Sequence, residues 1–297
     1  MMDLDDSIAF YLGHGYVILP QFLDADETAA LREVTDRVAA GAFGVEGANP
    51  VFDFEPGHTA AEPLIQRIKK PNRVDPLYDA MARHQRLLAV IGQVIGANIR
   101  LNHTKINMKT ARAGSPLEWH QDWAFAPHTN MATIVASMMI DECTPENGPV
   151  LVVPDSHKLG LLEHHDAEGF VGAIRSDTAG LDLNSAVPLL GPAGTVALHH
   201  PLTVHGSAAN LSGGARRILF LEYAASDAFP LFYPVEWGEY NARIVAGPET
   251  SKARLEPVEV KLPFPAPGSS IYKTQARLES RFFAPVSAVP ASAKMAG

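Results

Sequence analysis

Arg100-Leu101-Asn102-His103-Thr104-Lys105-Ile106-Asn107-Met108-Lys109 is where the chain changes character. Alternation here predicts a strand with Leu101, His103, Lys105, Asn107 and Lys109 on one face, since strand side chains alternate sides. Short apolar runs separated by turn residues follow. Leu117–Asp122 and Thr133–Asp141 read as strands. Glu146-Asn147-Gly148-Pro149 is a turn into Val150-Leu151-Val152-Val153, and Gly191-Pro192-Ala193-Gly194 is a turn into Thr195-Val196-Ala197-Leu198. Val204–Asn210 and Arg217–Ala224 are the last strands, with Leu211-Ser212-Gly213-Gly214 as a hairpin-like connection. Closely spaced strands without long helices between them predict a mainly β fold, an antiparallel barrel or double-sheet jelly roll.

Upstream, residues 5–96 read as helical support for one outer face. Asp5–Leu12 predicts a short helix broken by Gly13 and Gly15, and Tyr16–Leu19 a strand closed by Pro20. Asp24 caps the next helix, with Glu27 placed as capping-box partner, Leu31, Val34 and Val38 at helical spacing, and Gly41 at the exit. Ala42–Glu62 reads as a loop, and Pro76–Ile95 as a helical region divided at Arg83-His84-Gln85. No composition break marks a second domain. Residues 1–297 read as one domain, with a jelly-roll core over 99–225 and a C-terminal extension over 226–297. The tail from Ala284 is small and proline-containing and is expected to fray.

Composition narrows the function. Lys plus Arg number 24 against 33 Asp plus Glu, a net charge of −9 that argues against nucleic acid as partner. The single cysteine, Cys143, excludes an intramolecular disulfide framework and a zinc site of several thiolates. No apolar run reaches the ~18–20 residues of a membrane span. The opening Met1-Met2-Asp3-Leu4-Asp5-Asp6 lacks a signal-peptide layout. The expectation is a cytoplasmic protein without a membrane partner.

Chemistry concentrates in Trp119-His120-Gln121-Asp122-Trp123. On a strand, His120 and Asp122 share a face, so an imidazole and a carboxylate project together. His205 offers a third ligand. Two histidines and one carboxylate form the facial triad of non-haem Fe(II) oxygenases, which leaves coordination positions open. Among 12 histidines a lone His-x-Asp pair arises easily by chance, so its company decides. With a chain reversal at Leu211–Gly214, Arg216 falls opposite about Ala209, on the face of His205 and Ser207 and ~13 Å along the sheet. Its planar fork matches a carboxylate and could hold one end of a short dicarboxylate whose other end chelates the metal. The Ser207 hydroxyl would add to the same carboxylate. Arg217 faces the other way.

Trp119-His120-Gln121-Asp122, the run from Glu146 to His157, and Leu198-His199-His200-Pro201 through His205-Gly206-Ser207 to Asn210 and Arg216 together resemble the phytanoyl-CoA dioxygenase family. Phe10 and Gly15–Pro20 are similar too, so the resemblance spans residues 7–225. It implies a double-stranded β-helix, Fe(II) held by His120, Asp122 and His205, and 2-oxoglutarate held at its distal carboxylate by Arg216 with Ser207 assisting. Ile106–Lys109 resembles the strand that supplies further 2-oxoglutarate contacts in bacterial members such as ectoine hydroxylases, which implies such contacts for Asn107 and Lys109. The implied reaction uses molecular oxygen to hydroxylate a C–H bond of a small metabolite while 2-oxoglutarate becomes succinate. Asp122 sets the chain apart from halogenating relatives, which lack that carboxylate. Desaturation, epimerisation, rearrangement or endoperoxide formation are alternatives with the same cofactors. A rival from another class is a non-catalytic jelly-roll binding protein that retains a metal; an intact triad with Arg216 speaks against it. A third reading is a cupin-like metal hydrolase or isomerase without 2-oxoglutarate, which predicts that Arg216 contributes nothing to activity.

Weaker signals flank this set. His103, Trp123, Phe125 and His128 are candidates to touch substrate, or else strand and loop packing. Arg67–Arg73 is a basic cluster that attracts an anionic substrate or is simply a solvated loop. Phe229–Pro234 with Trp237 and Tyr240 closes the mouth, packs on the sheet or serves a homodimer. One of His199 and His200 must face inward, but neither fits the family's ligand position, and His164-His165 reads as a loop unrelated to the iron.

Overall fold

The computed structural model describes residues 3–112, 114–174, 181–266, 270–276, 278 and 282–283. The tail from Ala284 therefore lies outside the described residues. Helix α1 (Leu4–His14) begins where the Asp3 side chain accepts from the Asp6 N–H, and it ends at Gly15 with φ 79°. Strand β1 (Tyr16–Leu19) follows. Helix α2 (Ala25–Ala40) has the expected capping box: Asp24 accepts from the Glu27 N–H and Glu27 accepts from the Asp24 N–H.

The next segment corrects the sequence reading. Strand β2 (Phe52–Phe54) lies inside the expected loop, and β3 (Ile65–Lys69) runs into the basic cluster. Ile68 is fully buried, while Arg67 and Lys69 turn to Asp53, so these cations belong to a strand rather than a solvated loop. Helices α3 (Pro76–Ala82) and α4 (Gln85–Ile95) divide where expected, because the His84 side chain caps α4.

Strands β4 (Ile99–Lys109), β5 (Leu117–His120), β6 (Thr133–Met139) and β7 (Leu151–Val152) follow in order. Next come β8 (His165–Asp166), β9 (Gly169–Phe170), β10 (Val187–Pro188) and β11 (Val196–His199). Strands β12 (His205–Ser207) and β13 (Arg216–Ala225), helix α5 (Trp237–Asn241), strand β14 (Ile244–Ala246) and helix α6 (Ile271–Gln275) complete the elements. Among the described residues no helix is long and apolar enough to cross a membrane.

Apart from β8 and β9, which pair only with each other, the strands form a jelly roll of two antiparallel sheets. The larger has the order β1-β11-β6-β13-β4-β3-β2 with β14 beside β4; the smaller has the order β10-β7-β12-β5. Alternation assigns the faces. Ile106, Met138, Leu198, Leu219 and Leu221 point outward and pack with Leu31, Leu87 and Ile91 of the helices, which buttress that face as expected. Val135, Met139, Ala197, Ile218 and Phe220 point inward and meet Val152 of the smaller sheet and Val150 just before it.

Two details reshape the expected geometry. In β4 the pairing with β13 skips Asn102: Glu222 opposes His103 and Tyr223 opposes Leu101. This bulge turns Leu101 into the outer core with Ile106 and Met108, so Leu101 does not share the face of His103, Lys105 and Asn107. The expected hairpin between β12 and β13 is also absent. Strand β12 pairs with β5 and β7, whereas β13 pairs with β4 and β6, and Arg216 lies opposite Lys109 rather than Ala209. The Leu211–Gly214 connection crosses from one sheet to the other.

Candidate active site

Register brings the two histidines together. His120 on β5 lies opposite His205 on β12, with ring centroids 4.1 Å apart. His120 Nδ1 is 2.7 Å from the Glu118 carbonyl and His205 Nδ1 is 2.9 Å from the Thr203 carbonyl. A carbonyl only accepts, so each Nδ1 donates and each Nε2 lone pair is left for a ligand. Asp122 arrives differently from expectation. Strand β5 ends at His120 and Asp122 opens a short 3₁₀ turn over Asp122–Ala124, so the turn rather than strand alternation presents its carboxylate. Asp122 Oδ1 is 4.0 Å from His120 Nε2 and Oδ2 is 3.6 Å from His205 Nε2. The three ligand atoms lie within 4.8 Å of one another, close enough to converge on one metal ion.

Electrostatics suit that task. Burial and the neighbouring His205 hold His120 well below the usual imidazole value, and burial lowers His205 to about 4 against the pull of Asp122. Both rings are neutral near pH 7, the state a metal needs. Burial raises the Asp122 carboxyl, but His205, a hydrogen bond from His199 and Lys105 together hold it well below the usual carboxylate range.

Two histidines that the sequence reading set aside serve this cluster. His199 is fully buried, and its Nε2 lies 3.1 Å from Asp122 Oδ2, the geometry of a donor fixing the carboxylate. The signal was strand alternation: His199 shares the inward face of β11 with Ala197. His164 Nε2 accepts from the Gln121 N–H at 3.0 Å, and the Gln121 amide donates to the carbonyls of Gly160 and Leu202. His164 is therefore not unrelated to the site; it fixes the backbone between His120 and Asp122.

The triad opens into a cavity of about 460 Å³ between the sheets. At one end stands Arg216, 2% exposed, on the same face of β13 as Ile218, Phe220 and Glu222. Its Nη2 donates to the Gly148 carbonyl at 2.7 Å, its Nε has no partner, and no carboxylate pairs with it among the described residues. Gly148 has φ 72°, and a Cβ there would sit 2.7 Å from the Ala208 carbonyl, so only glycine brings its carbonyl to Arg216 without strain. Ser207, Asn107 and Tyr272 line the cavity with it, and Asn107 Oδ1 and the Tyr272 hydroxyl are buried without partners among the described residues. A buried guanidinium beside an unsatisfied hydroxyl donor is costly unless an anion completes it. The site thus fits both groups that the fold implies: a His-His-Asp donor set for Fe(II), and a cationic end for a carboxylate.

Other candidates sort by position. Lys109 does not line the cavity: it is fully buried, and its Nζ donates to the backbone carbonyls of Ser207 and Ala208 behind β12. Burial and the facing Arg216 push its amine well below the ordinary value. His103 and Phe125 do line the cavity, and the Phe125 ring meets His120 edge-on at 5.9 Å. Trp123 and His128 do not; the 3₁₀ turn sends Trp123 the other way from Phe125, and His128 is buried beside it with Nδ1 near the Ala126 carbonyl. The mouth carries Lys105, paired with Glu222 at 2.8 Å, together with Arg67, Lys70 and Arg243. Phe232 and Tyr233 line it, whereas Phe229 and Tyr240 pack around the buried Arg100 instead.

Residues 11–218 match the family model described as phytanoyl-CoA dioxygenase (PhyH). The chain is 34% identical over 279 residues to the probable alpha-ketoglutarate-dependent hypophosphite dioxygenase of Stutzerimonas stutzeri, covering 92% of this chain and 97% of that protein. It is 27% identical over 241 residues to the L-proline trans-4-hydroxylase of Streptomyces griseoviridis, covering 73% and 85%. The crystal structure of EctD from S. alaskensis with bound Fe superposes with a TM-score of 0.65 at 25% identity, covering 84% of this chain and 86% of that one. Matched over most of its length, this chain belongs to the phytanoyl-CoA dioxygenase family and is an Fe(II)- and 2-oxoglutarate-dependent dioxygenase.

Proposed function

We propose that the enzyme hydroxylates a bond to hydrogen in a small anionic molecule, with His120, Asp122 and His205 holding iron and Arg216 holding the distal carboxylate of 2-oxoglutarate. One observation carries this reading: a fully buried guanidinium with no acidic partner among the described residues shares a cavity with a convergent His-Asp-His set. Bound iron supplies oxygen activation, with 2-oxoglutarate as the electron source that ends as succinate. The chain's own residues do the rest. His120 and His205 present neutral Nε2 atoms, and His199 holds one oxygen of Asp122. Ser207 and Asn107 stand with Arg216 to orient the co-substrate, and Leu117, Val150 and Phe220 keep that end dry.

The mouth supports an anion. Lys105 is matched by Glu222 and Arg67 by Asp53, which leaves Lys70 and the half-buried Arg243 as the cations there that can meet an anion, although the chain as a whole has a net charge of −9. The relative named for hypophosphite, itself a small anion whose reactive bond is P–H, favours the same class and extends the target from C–H to P–H. The reading includes one domain in a reducing, cytoplasmic setting, which the free, buried Cys143 suits.

Succinate release tests the proposal. With Fe(II), 2-oxoglutarate and oxygen, a panel of hypophosphite, phosphite, short phosphonates and carboxylates is compared with proline and ectoine. Anions are expected to stimulate turnover. Stimulation by the zwitterions alone would overturn the substrate class. Unaltered 2-oxoglutarate binding in Arg216→Ala would overturn the co-substrate assignment.

A further inference from the structure

Tyr272 stands on α6, beyond the segment 11–218 that matches the family model. The helix is anchored to the strand that carries His120. Gln275 accepts from the Glu118 N–H at 3.0 Å and donates to the Gly172 carbonyl at 2.7 Å, while Ser270 caps the first turn by accepting from the Lys273 N–H. This fixed position delivers Tyr272 into the Arg216 end of the cavity, beside Ile271.

The Tyr272 side chain is nearly all buried and its hydroxyl has no hydrogen-bond partner among the described residues. Glu55 interacts with it electrostatically, but that carboxylate already takes the Ser115 N–H and the Gln66 amide. Burial keeps the phenol protonated, so toward an anion it is a donor. Arg216 Nε, on a side chain that lines the same cavity, is a second buried donor without a partner among the described residues. Two buried, unsatisfied donors on neighbouring side chains that line one cavity would both be answered by an acceptor with several lone pairs, and a carboxylate offers about four.

We propose that the Tyr272 hydroxyl donates to the distal carboxylate of 2-oxoglutarate beside Arg216, so that the C-terminal segment completes the co-substrate pocket. The inference rests on Arg216 holding that carboxylate. It makes Tyr272 a determinant of co-substrate length, because the donor marks where the far carboxylate must end.

The test uses the full-length enzyme with Fe(II) under anaerobic conditions. Tyr272→Phe removes one oxygen and keeps the ring. The dissociation constant for 2-oxoglutarate, followed by its visible charge-transfer band, is expected to rise ~10–100-fold, the loss of one hydrogen bond to a charged group. Binding of oxalate, which chelates the metal and has no distal carboxylate, is expected to stay within twofold, a contrast that a merely structural role would not give. A 2-oxoglutarate constant within twofold of wild type, or an equal loss for oxalate, would overturn the proposal. Arg216→Ala separates the two levels. If it weakens 2-oxoglutarate while Tyr272→Phe does not, only the role of Tyr272 fails; if neither variant weakens it, the assignment of this end of the cavity fails as well.

Discussion

Replacing His199 by phenylalanine isolates one contact. The variant keeps a planar ring in a fully buried site and removes the Nε2 donor that lies 3.1 Å from Asp122 Oδ2. A hydrogen bond to an ionised carboxylate contributes ~1.5–3 kcal/mol, and loss of an outer partner of a metal ligand weakens metal binding by ~10–100-fold. The rest of the ligand set is untouched, since His120 and His205 are oriented by the Glu118 and Thr203 carbonyls. Anaerobic calorimetry with Fe(II), and with Mn(II) as a redox-inert check, should show that loss in His199→Phe. Partial recovery is expected in His199→Gln, whose amide can still donate. Circular dichroism confirms folding. Folded His199→Phe with wild-type metal affinity would show that the Asp122 carboxylate needs no such support.

Asp122→Ala should lose Fe(II) binding outright while staying folded, because the two remaining histidines leave an incomplete ligand set; calorimetry and thermal melting read the two effects separately. Lys70→Glu with Arg243→Glu should raise the substrate KM, most at low salt, while leaving 2-oxoglutarate affinity unchanged, which steady-state kinetics across ionic strength would check. Burial lowers His128 and His164 to about 4, whereas an unfolded histidine titrates near ~6.5. The unfolded chain therefore takes up protons that the folded form refuses. Stability should hold above about pH 6.5 and fall as pH drops toward 4, by up to ~1.4 kcal/mol per pH unit for each ring. Urea melts across that range should show the slope, and His128→Asn should make it shallower. Leu219→Ala opens a hole in the fully buried face beneath the helices and should cost ~2–5 kcal/mol by chemical denaturation.

Local rules made part of this molecule legible. The Asp24–Glu27 capping box and the break at His84 lie within single turns of chain, and both stand as read. His120, Asp122 and His205 were visible because their residue types and spacing are unusual together. Apart from the 3₁₀ turn at Asp122, what failed was non-local. Strand β3 was hidden because its charges pair with Asp53 on β2, a partner 14 residues from Arg67. The bulge at Asn102 cannot be read from alternation, since either face of β4 looks plausible until β13 sets the register. Arg216 was placed in the right cavity by the wrong route: it comes from the facing sheet, and no spacing rule foretells that crossing. His199 escaped because its partner, Asp122, is 77 residues away.

The smaller sheet is assembled from very short pieces: β7 has two residues, β12 three and β5 four. His120 and His205 face each other across the β5–β12 pair, so an ion held by both would rivet two strands that have few hydrogen bonds of their own. Loading then becomes a folding force: a ligand at a hundred times its dissociation constant adds ~2.7 kcal/mol to the state that binds it. Amide exchange should register this unevenly. Protection at 117–120 and 205–207 should rise sharply with metal, while β6 and β13, held in the larger sheet, should exchange at the same rate with or without it.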